Sequence, residues 1–538
     1  MSHNTMKSPT VKVKQGFLRG SIKSNVDGGE YISFQGIPFA EPPLGELRFK
    51  DPEPVKPWTG IRDAVDEDKV SLQMDNFTKQ IVGSEDCLYL NIATNSLSGK
   101  KAVMVFIHGG GFIFGYNHSK LYSPDYLLKH DVVFVSINYR LGMLGFLNMN
   151  VEDCPGNQGL KDQVLALNWI QENIEAFGGD KNNVTIFGQS AGSASVHCLC
   201  LTSSNKGLFH RAILQSGSMA NPWAYRPSNN DVGFKIAKEL GKETTNPEEV
   251  LKFFMSLPPE KIVEEQTKRL LQSFSFTKLD LIFGPTKDCE RSRPYFLESA
   301  DELMKKGIQI PVIIGYTSHE GIALLDNEQD ESFETFKNDF ENILAYDLKL
   351  NVKKVSEFAK DIRKFYFKDE SNPIKQRDGC IDFKTDTLFT IGILDTIEKQ
   401  INKKTPTYVY RFSHNVQNSC LKVVYNIKME GVVITGAAHC DDLNVLFHIP
   451  FIGDDKKLRK DTQDYLLMRR MTKMWTDFAK TGCPTPKLDD LINVEWKPFT
   501  NDEKWYLEIQ DKLTVNKNLD EEKKKLWKPI LNQRNIQL

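Results

Sequence analysis

Short runs of apolar and β-branched residues alternate with longer segments of helical periodicity through the middle of this chain. Two of those segments, Leu160–Phe177 and Ala191–Leu201, predict helices. Strands that are apolar almost throughout, and that are joined through helices, are typical of a mostly parallel sheet covered on both faces. The pattern therefore predicts an α/β fold. The apolar runs predict buried strands over Ala102–His108, Asp131–Asn138, Asn183–Gly188, Arg211–Ser216, Pro311–Tyr316 and Pro406–Phe412.

The segments around this core predict how it is flanked. Thr10–Arg48 shows alternating patterns with turn signals, which predict antiparallel strands at one edge of the sheet. The stretch from about 230 to 370 is rich in Lys and Glu with helical periodicity and predicts a cap or flank of helices. Asp520–Lys528 predicts a terminal amphipathic helix that Pro529 ends. No repeat or linker divides the chain, so we expect one domain over 1–538.

The charge balance directs the search for function toward a local site. Lys and Arg number 69 against 71 for Asp and Glu. This near balance gives no basic footprint for nucleic acid or for an anionic membrane. The longest uncharged stretch of the first quarter, Ala102–Ser119, is interrupted by glycines and is too short to span a bilayer. We therefore expect neither nucleic-acid binding nor integral membrane association.

The first residues and the cysteines predict where the protein resides. The N-terminal segment has no apolar run of signal-peptide length. Nine cysteines are scattered without the spacing of a zinc site, so no metal is expected. Unpaired thiols fit a reducing compartment, and we expect a cytoplasmic protein. If a leader has been removed, the protein is secreted instead.

The sharpest local signal is the pentapeptide Gly188-Gln189-Ser190-Ala191-Gly192, a G-x-S-x-G motif. It follows an apolar strand and opens a run of small residues, which is the context this motif requires. A serine at its centre sits in a strained strand-to-helix turn that presents its hydroxyl outward, and side chains at 188 and 192 would collide there. The motif predicts Ser190 as a nucleophile.

A second glycine-rich motif, His108-Gly109-Gly110-Gly111-Phe112, also follows a strand directly. Consecutive glycines let backbone N–H groups turn toward a ligand. Donors from Gly110 and Gly111 would join the N–H of Ala191 around an anion that forms at a substrate carbonyl. The alternatives are a flexible hairpin or a phosphate cradle, but neither the lysine nor the glycine spacing of a phosphate loop is present.

A serine hydroxyl needs a base to take its proton and an anion to orient the base. When the nucleophile lies in such a turn, the acid and then the histidine follow it along the chain. Glu320 follows the strand over Pro311–Tyr316, and His439 lies in a loop of small residues after the last predicted strand. Chain order alone does not settle which carboxylate is the acid or which histidine is the base. The downstream histidines are His197, His210, His319, His414, His439 and His448.

With these motifs the chain resembles the type-B carboxylesterases, the group that also contains the cholinesterases. Within that group it resembles the insect alpha-esterases. The resemblance runs from about Lys14 to Trp496. It implies an α/β-hydrolase fold with a gorge that leads to the serine. The motifs that carry it are FQGIPFAEPPLGELRF (34–49), SEDCLYLN (84–91), HGGGF (108–112), NYRLG (138–142), GNQGLKDQ (156–163), GQSAG (188–192), QSGS (215–218), GAAHCDDL (436–443) and WTDFAKTGCPTP (475–486).

The resemblance also implies roles for individual residues. Ser190 matches the nucleophile, Glu320 the acid and His439 the base. The oxyanion-hole donors match Gly110, Gly111 and Ala191. Ser216 resembles a serine that supports the acid and the histidine, and Trp223 falls where an acyl-pocket aromatic is placed. Phe112 and Gln189 are expected in the substrate pocket or directly behind its wall. No cofactor is implied.

Two departures from the family pattern concern the substrate and a disulfide. Gln189 stands where many members carry Glu, so electrostatic help for a cationic substrate is not expected, and Gln recurs there in juvenile-hormone esterases. Cys87 lacks its usual disulfide partner, since Ser71-Leu72-Gln73 stands at the matching position.

The resemblance thus implies an enzyme that cleaves lipophilic carboxylic esters, xenobiotic or endogenous, and that also reacts with organophosphates and carbamates. A juvenile-hormone-type esterase is one alternative. A cholinesterase-like protein that binds or sequesters without hydrolysis is another.

Overall fold

The computed structural model describes residues 8–226, 230–275, 278–279, 281–288, 294–325, 335–368, 373–401, 403–424, 436–453 and 457–534. Its centre is an eleven-stranded sheet. The strands in chain order are β1 Ser21–Ser24, β2 Glu30–Pro38, β3 Tyr89–Thr94, β4 Lys101–Ile107, β5 Val133–Ile137, β6 Gly179–Gln189, β7 Arg211–Gln215, β8 Val312–Thr317, β9 Thr407–Phe412, β10 Trp505–Ile509 and β11 Leu513–Lys517.

The sheet is parallel at its centre and antiparallel at both edges. Its spatial order is β11-β10-β9-β8-β7-β6-β4-β5-β3-β2-β1. The seven strands from β10 to β5 pair in parallel. The pairs on either side of them, β10–β11, β3–β5, β2–β3 and β1–β2, are antiparallel. The predicted α/β class with a mostly parallel sheet is confirmed.

Helices cover the faces of this sheet. Their bounds are α1 Gly142–Phe146, α2 Gln158–Asn173, α3 Ala191–Leu201, α4 Asn230–Glu239, α5 Pro247–Ser256, α6 Pro259–Ser273, α7 Ala300–Lys306, α8 Phe340–Leu348, α9 Val352–Tyr366, α10 Pro373–Thr385, α11 Ile391–Lys399, α12 Cys420–Val424, α13 Gln463–Thr481 and α14 Glu521–Arg534. A π-helical turn over Asp386–Thr390 joins α10 to α11. Among the residues that the structure describes, none of the helices is both long and apolar enough to cross a bilayer.

Strand β4 shows why the central strands are apolar on both faces. Val103, Val105 and Ile107 belong to one large hydrophobic cluster. The alternating residues Met104 and Phe106 belong to the other. Successive side chains of a strand point to opposite faces, so a strand buried on both sides reads as a continuous apolar run.

The six predicted strands and the helix over Ala191–Leu201 are confirmed to within a few residues. The helix predicted over Leu160–Phe177 runs from Gln158 to Asn173, and its last residues form a separate 3₁₀ turn. The expected antiparallel edge is present as β1 and β2. Two strands before it lie in another, three-stranded sheet with a strand over Ile61–Asp63; they are Thr10–Val13 and Gly16–Arg19.

Two expectations about the C-terminal part are wrong. The strand over Pro406–Phe412 is not the last, because β10 and β11 extend the sheet beyond it. Helix α14 also continues through Pro529 rather than ending there. Trp527 and Ile530, on either side of the proline, are almost completely buried, and Trp527 Nε1 donates to Tyr366 Oη at 2.9 Å. Their packing outweighs the hydrogen bond that a proline removes from a helix.

Candidate active site

Ser190 lies in a strained turn between β6 and α3. Its φ of 58° is in the left-handed region, which residues other than glycine rarely adopt. The flanking glycines have no room for a side chain. A Cβ on Gly188 would lie 2.6 Å from the carbonyl carbon of Gly192, and one on Gly192 would lie 2.0 Å from the oxygen of Ile107. The turn is held by the Ser190 N–H, which donates to the Gln215 oxygen at 2.8 Å.

The glycine loop after β4 lies against this turn. A Cβ on Gly109 would come within 3.1 Å of Ser190 Cβ. Gly110 and Gly111 both have positive φ, 108° and 60°. A Cβ on Gly110 would lie 2.0 Å from the Phe114 oxygen, so only glycine fits this close approach of two backbone segments.

Three backbone N–H groups next to Ser190 are open to a ligand. Those of Gly110 and Gly111 donate to no backbone acceptor in the described part of the chain. Ala191 is the first residue of α3, where an N–H has no acceptor within the helix. The N-terminal end of a helix also carries partial positive charge, which favours an anion.

The predicted acid and base form a buried pair. Glu320 follows β8, and its Oε1 accepts a hydrogen bond from the Thr317 N–H at 2.8 Å. Its Oε2 lies 2.5 Å from His439 Nδ1. Glu320 is fully buried and His439 nearly so. The carboxylate holds the proton on Nδ1, which leaves Nε2 as the basic nitrogen of the neutral ring.

Opposing effects set the pKa of His439. Burial alone lowers the pKa of an imidazole. The Cys440 sulfur and the Glu320 carboxylate raise it, and the resulting pKa of His439 lies well above its ordinary value. Burial raises the pKa of the Cys440 thiol, so this thiol is neutral near pH 7. We therefore attribute the raised pKa of His439 chiefly to Glu320.

Ser190 and His439 face the same cavity but are not hydrogen-bonded to each other in the described structure. Gln189 is closer to the ring: its Nε2 lies 3.1 Å from His439 Nε2 and 3.4 Å from Nδ1. An atom at such similar distances from both ring nitrogens lies over the face of the ring. Catalytic hydrogen bonds are often long before substrate binds.

Ser216 is the serine to which the resemblance assigns support of the acid and the histidine. It is buried in the left-handed region, with φ of 56°. Its N–H donates to the Gly315 oxygen at 2.9 Å. Its Oγ has no hydrogen-bond partner in the described structure. A supporting role for Ser216 remains a prediction.

Trp223 forms part of the cavity wall, whereas Phe112 lies behind it. Trp223 is fixed by a hydrogen bond from Nε1 to the Leu388 oxygen at 2.8 Å. Its ring lies 6.5 Å from that of Phe112 and 5.8 Å from that of Phe389. Phe112 is completely buried and packs on Phe146. The Phe112 ring thus packs in the core behind Trp223, and a supporting role for it behind the pocket wall remains a prediction.

The cavity itself is mainly apolar. It has a volume of about 210 Å³. Asp75 is the one carboxylate of its described wall, and the backbone N–H groups of Phe77 and Thr78 already bind it. Within the described residues, no cluster of three or more His, Cys, Asp or Glu side chains is arranged to hold a metal ion. Side chains of the wall include Phe77, Phe114, Tyr116, Leu281, Phe389 and Leu421.

Most of these wall residues were not predicted from the sequence. Phe114 and Tyr116 directly follow the glycine loop, so their proximity to that motif was a usable signal. Leu281 lies in a loop between β7 and β8, and Phe389 lies in the π-helical turn between α10 and α11. No local pattern there reports which side chain faces the site.

The eleven-stranded sheet, the strained serine turn and the acid–imidazole pair after its strands together define an α/β-hydrolase. Comparison with known proteins agrees. The model of the Carboxylesterase family matches residues 7–527. The chain belongs to this family and is an esterase that acts on small-molecule esters.

Individual relatives are similar over nearly the whole chain. "Juvenile hormone esterase" of Tribolium castaneum is 36% identical over 512 residues, which cover 90% of this chain and 85% of that protein. "Esterase B1" of Culex pipiens is 34% identical over 495 residues, which cover 89% of each. A crystal structure of juvenile hormone esterase from Manduca sexta, with OTFP covalently attached, matches with a TM-score of 0.84 and 30% identity. The match covers 98% of this chain and 100% of that one.

Proposed function

We propose that this esterase cleaves neutral, lipophilic carboxylic esters through a covalent acyl-enzyme, with Ser190 as nucleophile, His439 as base and Glu320 as the acid that orients the base. One observation carries the proposal. The buried pair of Glu320 and His439 opens into the same cavity as the strained turn of Ser190.

In the first step Ser190 Oγ attacks the ester carbonyl carbon while His439 Nε2 accepts the hydroxyl proton. Glu320 stabilises the imidazolium that results. The oxyanion accepts hydrogen bonds from the N–H groups of Gly110, Gly111 and Ala191. Loss of one such donor typically costs about 3 kcal/mol in the barrier.

In the second step His439 returns its proton to the leaving alcohol. A water molecule then attacks the acyl-enzyme, with His439 again as base, and the carboxylic acid leaves. Ser190 Oγ must come within hydrogen-bond distance of His439 Nε2 for the first proton transfer.

The cavity wall favours an uncharged substrate. Its side chains are mainly aromatic and aliphatic, and the neutral Gln189 supplies no charge to attract a cation. This supports lipophilic esters, xenobiotic or endogenous. A juvenile-hormone-type ester is the second candidate. It is favoured by Gln189 and by the relatives whose names give that activity.

Burst kinetics on nitrophenyl esters of increasing acyl length, with a juvenile-hormone ester included, test both candidates. Ser190→Ala is expected to lose nearly all turnover, with the exposed Ser203→Ala as a control that keeps it. Undiminished turnover in Ser190→Ala would contradict the assignment. A burst followed by very slow turnover would favour sequestration of esters.

The same site is proposed to bind organophosphates and carbamates. A tetrahedral phosphorus resembles the tetrahedral intermediate, so Ser190 Oγ would become phosphorylated. After organophosphate treatment, peptide mass spectrometry is expected to find the adduct on Ser190 and none on the exposed Ser203. An adduct at another residue would count against the proposal.

Location is a separate proposal. The comparisons give no support to the cytoplasmic location expected from the sequence, so we propose the secreted alternative. Three N-x-S/T sequences, at Asn76, Asn117 and Asn183, are possible N-glycosylation sites of a secreted protein. Asn76 is half-buried, whereas the Asn117 amide is buried and donates to the Tyr89 and Ser136 oxygens. Protein secreted by insect cells is expected to carry a glycan at Asn76 and none at Asn117. Retention in the cytosol would contradict the proposal.

A further inference from the structure

One side chain holds the far end of the glycine loop that carries two of the oxyanion donors. Gln73 lies outside that loop, on a short strand over Gln73–Met74, and is almost completely buried. The Gly115 N–H donates to its Oε1 at 2.6 Å, and its Nε2 donates to the Gly115 oxygen at 2.9 Å. Nε2 also donates to the Ser71 oxygen at 3.0 Å, which fixes the amide itself. The mechanism proposed above does not use Gln73.

The backbone of Gly115 depends on this amide. In the part of the chain that the structure describes, no backbone group pairs with the N–H or the oxygen of Gly115. A Cβ on Gly115 would lie 2.6 Å from the Gly109 oxygen, so this position has no room for a side chain that could make contacts of its own. Removal of the Gln73 amide therefore removes both hydrogen bonds that orient Gly115.

The peptide unit between Phe114 and Gly115 connects Gln73 to an oxyanion donor. In a planar trans peptide the N–H and the carbonyl point in opposite directions. Because Gln73 binds the N–H, the Phe114 carbonyl points away from it and toward Gly110, where a Cβ would lie 2.0 Å from the Phe114 oxygen. The Gly110 oxygen in turn accepts from the N–H groups of Ile113 and Phe114, at 3.0 and 3.1 Å. The position of Gly110 is thus coupled to the peptide that Gln73 holds.

The same short segment also supports the start of the glycine loop. Ser71 Oγ donates to the Tyr139 oxygen at 2.7 Å. Tyr139 Oη donates to the His108 oxygen at 3.0 Å, and its ring stacks on the His108 ring with centroids 4.6 Å apart. Both ends of the loop are therefore connected to the segment from Ser71 to Gln73.

We propose that Gln73 is a positioning residue for the oxyanion hole. By holding the peptide between Phe114 and Gly115, it fixes the direction of the Gly110 N–H. This inference rests on the proposed acyl-enzyme mechanism. Hydrogen bonds to an oxyanion stabilise the transition state more than the bound ester, so misplaced donors lower kcat and change KM little. Gln73 also lines the cavity, and a role in direct contact with the ester would change KM instead.

Gln73→Met tests the proposal, because methionine has nearly the same length but neither donates nor accepts strongly. With nitrophenyl butyrate, kcat is expected to fall by about 30-fold, somewhat less than when an oxyanion donor is removed outright, with KM within about twofold of the parent. An alkyl trifluoromethyl ketone is the second probe. Attack of Ser190 Oγ on its carbonyl gives a tetrahedral anion in the oxyanion hole, so its inhibition constant is expected to rise by the factor by which kcat/KM falls.

Gln400→Met is the matched control. The Gln400 amide makes the same pair of hydrogen bonds with one residue, since the Ile308 N–H donates to Oε1 at 2.8 Å and Nε2 donates to the Ile308 oxygen at 3.2 Å. Gln400 is also buried, but it lies outside the cavity wall. This variant is expected to keep the parent kcat and inhibition constant, while urea denaturation reports a loss of stability similar to that of Gln73→Met.

Three results would overturn the proposal: an unchanged kcat in Gln73→Met, a kcat that falls equally in Gln400→Met, or an inhibition constant that stays at the parent value while kcat falls. If Gln73→Met does not fold, Gln73→Asn carries the same test, because its shorter amide cannot reach both groups of Gly115. Failure of the proposed function would appear elsewhere, as a parent without ester turnover or as undiminished turnover in Ser190→Ala.

Discussion

Glu320 Oε2 and His439 Nδ1 lie 2.5 Å apart although 119 positions separate the two residues in the chain. The carboxylate is fixed by the Thr317 N–H at the end of β8. It therefore orients an imidazole that comes from a loop after a different strand, β9. This pair joins the ends of two neighbouring strands into one candidate site.

Replacing Glu320 by Gln removes the negative charge that raises the pKa of His439. The pKa falls, so the neutral, basic ring persists to lower pH and the acid limb of kcat/KM moves to lower pH. The amide also no longer selects the required tautomer, and kcat is expected to fall by about 10⁴-fold. A pH–rate profile measures both effects.

The matched control for that variant is Glu357→Gln on the exposed side of α9, which should reproduce the parent profile. An acid limb that stays in place in Glu320→Gln would show that another group raises the pKa of His439.

Replacing Gln189 by Glu is expected to raise the pKa of His439, the opposite of the effect of Glu320→Gln. It puts a carboxylate where the amide now lies 3.1 Å from His439 Nε2, which favours the charged ring. The acid limb of kcat/KM is expected to move to higher pH. Gln189→Met, of similar length but uncharged, should leave the limb near its parent position. Identical profiles for the Glu and Met variants would rule out an electrostatic effect of residue 189 on the base.

Replacing Gly111 by Asp tests the oxyanion hole. A Cβ there would lie 3.2 Å from the Leu281 methyl groups, and the added carboxylate would repel the forming oxyanion. Turnover of carboxylic esters is expected to fall by at least about 100-fold. Gly111→Asn carries the same bulk without charge and should lose much less. Similar losses in the two variants would indicate a steric effect only.

The buried ion pair of Lys384 and Asp347 is expected to stabilise the helical flank. Both side chains are completely buried, with Nζ 2.8 Å from Oδ2, and Thr387 Oγ1 donates to the same carboxylate oxygen at 3.1 Å. Lys384→Met leaves that carboxylate without its cation and should lower the free energy of unfolding by about 3–5 kcal/mol. Urea denaturation measures the change.

The double variant Lys384→Met, Asp347→Leu should recover much of that stability, because no charge is then buried alone. A double variant that is no more stable than Lys384→Met would mean that packing, not charge, makes the pair important.

Much of the central sheet could be predicted because its signals are local. The strand over Asn183–Gly188 and the helix over Ala191–Leu201 are neighbours in the chain, and the two glycines around Ser190 report a steric requirement that acts over a few bonds. Strands β10 and β11 were missed because their burial depends on β9, which lies about a hundred residues earlier. The single-domain organisation over 1–538 remains a prediction.

The amino-acid sequence by itself determined the alternation of strands and helices, the strained turn at Ser190 and the glycine loop, since periodicity and close backbone contact act between near neighbours. Only the tertiary structure decided that Glu320 meets His439, that Gln189 lies over the imidazole, and that Phe112 packs behind Trp223. Those contacts join residues from distant parts of the chain. Their geometry depends on how the strands and helices pack together, which no local pattern encodes.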